Sequence, residues 1–94
     1  MAIVKGSAEI LSATGTCIGR GIAYVHLPRG KDLLQTATGT VSCTEWHEGA
    51  EPPEMVQIEG YEPLTVSVSR EAISECSRNH ILRFSTSWTA RKSA

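Results

Sequence analysis

Ninety-four residues with a net charge of −1, 40% apolar and 20% charged, describe one globular domain with a single core. No window approaches the roughly 18 consecutive apolar residues of a membrane span, and Met-Ala-Ile-Val-Lys-Gly at the start lacks the basic flank and apolar run of an export signal, so a cytoplasmic protein that avoids membranes is expected. The three cysteines Cys17, Cys43 and Cys76 are odd in number and far apart, which excludes a disulfide framework. The charge is unevenly spread: residues 1–31 carry +3, residues 32–62 carry −7 with no Lys or Arg, and residues 63–94 carry +3.

In chain order, residues 2–12 alternate Val4, Gly6, Ala8 and Ile10 against Lys5, Ser7 and Glu9, the period-2 signature of a strand with one wet face. After a turn at Ala13-Thr-Gly-Thr16, residues 17–27 form a second strand, with Cys17, Gly19, Gly21, Ala23, Val25 and Leu27 on one face and Ile18, Arg20, Ile22, Tyr24 and His26 on the other. Glycines inside a strand call for a bulge, a barrel corner or the close approach of another element. Pro28-Arg-Gly-Lys31 reads as a turn, and the Thr-rich run 32–44 as one bent strand or two short ones divided at Gly39. Glu48 to Pro53 is an extended loop, since successive prolines hold the backbone near polyproline geometry. Met55 to Glu59 is a short strand.

The best-defined part is 63–88. Leu64, Val66 and Val68 alternate with Thr65, Ser67 and Ser69, and Leu82, Phe84, Thr86 and Trp88 alternate with polar residues. Between them Ser69 is an N-cap for a short helix over about 70–78, with Ala72, Ile73 and Cys76 on its inner face and Asn79 as its left-handed stop. Six short strands and one helix predict a mainly β domain spanning 1–94, a small antiparallel barrel or sandwich, with 89–94 a frayed tail.

The sharpest chemical pattern is a repeated spacing, Cys43-x-x-x-His47 and Cys76-x-x-x-His80. Thiolate and imidazole are preferred zinc ligands, and two such pairs would complete a tetrahedral set. The competing reading makes Cys43 and Cys76 buried structural thiols, since both fit the apolar faces of their elements. A Cys–His nucleophile would need Cys43, Glu45, His47 and His80 to converge, and no nucleophile elbow supports it. Phosphate loops are excluded: Gly19-Arg-Gly21 is followed by Tyr24 where a small residue is required, and Gly30-Lys31 by Asp32 rather than Ser or Thr.

Glu45, Glu48, Glu51 and Glu54 recur every three residues, so on a three-residue-per-turn ribbon they would line one edge, with Trp46 and Tyr61 beside them. That makes Trp46, His47, Glu48, Glu51 and Tyr61, together with Tyr24 and His26, the candidate contacts for a protein partner or a small-molecule ligand. Self-association is expected from the mixed face Ile18, Ile22 and Tyr24 and from the opposed charges of middle and ends. Arg20, Tyr24, His26, Arg29 and Lys31 are the cation and aromatic mixture that tracks single-stranded nucleic acid, but the seven-acid middle opposes phosphate binding. The sequence therefore predicts a binding domain rather than an enzyme, with no cofactor unless zinc occupies the Cys/His set.

Overall fold

A computed structural model describes residues 3–27, 36–47 and 51–87. Six strands and one helix follow in order: β1 (Ile3–Leu11), β2 (Cys17–His26), β3 (Thr36–Trp46), β4 (Met55–Ile58), β5 (Leu64–Ser67), α1 (Arg70–Asn79) and β6 (Ile81–Ser87). Strands with one apolar face must cover it and must also protect their edges, and closure achieves both. The chain closes as a barrel in the order β1-β2-β3-β6-β5-β4, every pair antiparallel. Two three-stranded meanders are thus joined along β3–β6 and β1–β4.

Every strand contributes to the interior. Ile10, Val25, Val41, Val56, Ile58, Leu64 and Leu82 are all fully buried, and Phe84 and Val66 pack among them. Each such side chain contributes roughly 1.5–3 kcal/mol of transfer free energy on burial. Thr86 joins them with its hydroxyl satisfied, donating to the Thr65 carbonyl at 2.6 Å.

Two bulges break the alternation. Leu11 pairs with Cys17 and Ile10 with Gly19, which leaves Ile18 as an extra residue in β2; Arg20 pairs with Glu45 and Gly21 with Cys43, which leaves Thr44 extra in β3. The glycine-rich stretch of β2 is therefore a bulged corner. Ile18, expected on the outer face, is 2% exposed, because the extra residue reverses the parity upstream of Gly19. β3 is continuous through Gly39, which sits beneath the Phe84 ring: a Cβ there would lie 2.5 Å from Cζ.

The helix begins as expected, with the Ser69 hydroxyl accepting from the Ala72 N–H at 3.1 Å. It ends one residue later than expected. Asn79 is still helical, and His80 takes the left-handed conformation, φ 59° and ψ 26°. The His80 N–H donates to the Cys76 carbonyl at 2.8 Å while its own carbonyl accepts from the Cys43 N–H at 2.7 Å, so strand β3 decides where the helix stops. α1 packs on β6, which among the described residues β5 pairs at Thr86 and Ser85. Its buried residues are Ala72 and Cys76, whereas Ile73 is only half-buried, at the helix margin.

The expected turn at 28–31, residues 32–35, residues 48–50 of the expected loop, Trp88 and the expected tail 89–94 lie outside the described residues. Among the described residues no helix is long and apolar enough to cross a membrane.

Candidate functional site

Cross-strand pairing on the outer wall sets Ser7 against Ile22 and Glu9 against both Arg20 and Gln57. These residues share one parity, so they project together from the β4-β1-β2 wall. Above them stands a tight turn: the Tyr61 N–H donates to the Ile58 carbonyl at 2.9 Å, and Gly60 at φ 88° supplies the positive φ that the third position of this turn demands. The wall and the turn enclose an open groove of about 610 Å³ lined by Ser7, Glu9, Arg20, Ile22, Gln57 and Tyr61 among others. That volume lies within the roughly 300–1,000 Å³ of small-molecule sites.

Ile22 forms a half-buried apolar floor and hydrogen-bonding groups form the rim. Arg20 is exposed, and its guanidinium is held further above its ordinary value by a hydrogen bond to Cys17, with the charges of Cys17, Glu45 and Glu9 adding to the effect. Its Nε lies 4.0 Å from the Glu45 carboxylate. Glu59 also lines the groove, so carboxylates outnumber the guanidinium there. Local charge favours neutral or cationic ligands over anions.

The residues singled out from the sequence go to several places. Trp46, His47 and Glu51 meet in a cleft of about 240 Å³ with Pro53, Ile73 and Ser77, between the end of β3 and α1. Trp46 Nε1 donates to the Ser77 hydroxyl at 3.3 Å, and Glu51 accepts from the Thr14 hydroxyl at 3.0 Å. Glu45, by contrast, belongs to β3 and faces Arg20 and His47. His26 lines a third depression, of about 650 Å³, whose lining includes the hydroxyls of Thr38, Thr40 and Ser67 and whose Arg83 and Glu75 pair at 3.6 Å. Tyr24 lies under Lys5, with Nζ 5.4 Å from the ring centroid. Of the six that are among the described residues, Tyr61 alone lines the groove. Of the mixed face from which self-association was expected, Ile18 is buried, and Ile22 and Tyr24 are partly exposed.

Ser7 and Gln57 carried no signal as isolated residues, and Ile22 reads only as part of a mixed face with Ile18 and Tyr24. Only the register across three strands brings them together.

Of the four Cys/His positions, the structure joins two. Cys43 Sγ and Cys76 Sγ are 3.9 Å apart, while His47 lies 4.0 Å from the Glu45 carboxylate and His80 is exposed beyond the helix. Among the described residues no group of three or more His, Cys, Asp or Glu is placed to hold a metal ion. Burial pushes both thiols up, Cys76 to about 12, with the neighbouring Cys43 adding to the effect. Both are protonated near neutrality, the reverse of what a nucleophile requires.

The raised thiols make stability depend on pH. A thiol whose folded pKa exceeds its unfolded value holds a proton that the unfolded chain gives up, so its contribution to stability is constant below about pH 8 and is lost as pH rises from roughly 9 toward 12. The slope approaches about 1.4 kcal/mol per pH unit for a single group. Urea midpoints measured across this range for the wild type and Cys76→Ala should show a shallower alkaline decline in the variant. Identical declines would contradict the assignment.

The chain is a closed six-stranded antiparallel barrel with one helix packed on β6. No family model, no curated protein and no solved structure matches it.

Proposed function

We propose that this domain acts by binding, and that its ligand is a small polar molecule, neutral or cationic, held in the groove between β1, β2 and the β4–β5 turn. The observation that carries this reading is the groove itself, about 610 Å³ with the apolar Ile22 below, the Tyr61 side chain at the turn and hydrogen-bonding side chains around it. A ligand with an apolar face and a polar edge matches that arrangement. Nucleic acid matches it poorly, because a phosphate approaching Arg20 also meets Glu9, Glu45 and Glu59. The three free cysteines suit a reducing compartment such as the cytoplasm.

The test is amide chemical-shift mapping against a panel of monosaccharides, amino acids, nucleosides and short peptides. Hits should cluster on Ser7, Arg20, Ile22, Gln57 and Tyr61. Replacing Ile22→Glu or Tyr61→Ala should weaken binding by about tenfold or more, corresponding to about 1.4 kcal/mol of lost contact. Shifts centred instead on Trp46 and Ser77, or binding untouched by both substitutions, would reject the groove.

A further inference from the structure

The two thiols between β3 and α1 are in van der Waals contact. Their sulfurs are 3.9 Å apart, and their backbones are tied through one residue: His80 donates to the Cys76 carbonyl at 2.8 Å and accepts from the Cys43 N–H at 2.7 Å. Strand and helix are thereby registered at this point. A cystine needs sulfurs about 2.05 Å apart, so the two thiols stand about 2 Å beyond bonding distance. Cys76 is fully buried and Cys43 half-buried, which gives the pair one accessible member and one protected member. Cys17 forms no part of the pair, since its thiol donates to the Gly19 carbonyl at 3.4 Å.

We propose that Cys43 and Cys76 are a redox-modification site, converted by a low-molecular-weight disulfide into an intramolecular cystine that fastens α1 to β3. The Cys43 sulfur, as thiolate after loss of its proton, attacks one sulfur of oxidised glutathione, forming a mixed disulfide and releasing one glutathione. The Cys76 sulfur then attacks Cys43 of that mixed disulfide and releases the second glutathione. Two protein thiols are oxidised and one disulfide is reduced to two thiols, so electrons and protons balance. Because burial keeps both thiols protonated, the exchange is slow at neutral pH and faster as pH rises.

The cystine would close a long loop spanning β4, β5 and most of α1, and would fix the Ile73 and Ser77 side of the cleft at Trp46. Constraining a loop of that length in the unfolded chain raises the melting temperature of a domain this size by on the order of 10 °C.

The experiment incubates the full chain with oxidised glutathione, quenches in acid, alkylates remaining thiols under denaturing conditions and maps the peptides. A linked Cys43–Cys76 peptide, a higher melting temperature and reversal of both by dithiothreitol are expected, in the wild type and equally in Cys17→Ser. Cys76→Ser should accumulate glutathione on Cys43 instead. The proposal is overturned if Cys43 and Cys76 both remain alkylatable. It is overturned as well if the wild type stops at a glutathione adduct on Cys43, or if the disulfide formed involves Cys17. Wild type and Cys17→Ser retain the native pair, so both results can be read whether or not Cys76→Ser folds.

Discussion

Gly21→Ala should be the most damaging glycine-to-alanine change among the described residues, costing roughly 3–5 kcal/mol where the total stability of such a domain is about 5–15 kcal/mol. A Cβ at Gly21 would lie 1.9 Å from the Ser42 carbonyl oxygen, 2.7 Å from its carbon and 2.8 Å from the Cys43 Cα. All three are backbone atoms, so no side-chain rotation relieves the overlap. β3 would have to retreat, but β6 holds it from the other side through the Val41–Leu82 and Ser42–Ile81 pairs and the Cys43 N–H bond to His80 at 2.7 Å. Gly39→Ala provides the control. Its Cβ would meet Phe84 ring atoms at 2.5 and 2.9 Å and the Tyr24 carbonyl at 3.0 Å, and the ring can yield in part. Urea titrations should therefore place Gly21→Ala below Gly39→Ala and both below wild type. The reverse order would mean that β2 and β3 do not approach each other at the bulge as described.

Leu82→Ala is expected to cost about 2–5 kcal/mol through lost burial plus the cavity left behind. Leu82 is 0% exposed and sits on β6 opposite Val41, itself 0% exposed. A closed barrel has little freedom to collapse around a void, because moving β6 inward strains its pairing with β3 and its packing with α1. The upper half of the range is therefore expected, with an unchanged denaturant slope. Leu82→Met, which conserves volume, should lose less than about 1.5 kcal/mol. Equal losses for the two would show that the interior is not sealed at this point. Below its melting temperature the Leu82→Ala protein should keep the groove, since Ser7, Ile22 and Gln57 stand on the opposite side of the wall from the core residues.

Much of the barrel was legible from alternation. Leu64 and Val66 in β5, Leu82 and Phe84 in β6, and Ala23 and Val25 in β2 are buried as their parity predicts, because period 2 is a property of the extended backbone and needs no knowledge of partners. Ser69 was equally legible, since a cap bonds to the backbone three residues away. Ile18 was not. Whether a strand carries an extra residue depends on the strand beside it, and that strand is distant in sequence.

The same division separates the candidate sites. The repeated Cys-x-x-x-His spacing suggested a four-ligand set, but only the two thiols meet, because Cys43 lies on an extended strand and His80 in a left-handed turn after a helix. The groove draws on β1, β2, β4 and the turn after β4, and no local pattern announces residues assembled that way. What the sequence by itself determined is the identity of the elements, their wet and dry faces and the helix start, all governed by contacts within a few residues. Closure into a barrel, the two bulges, the helix stop, the groove and the thiol pair were decided by tertiary structure, because each depends on which distant strand lies alongside and in what register.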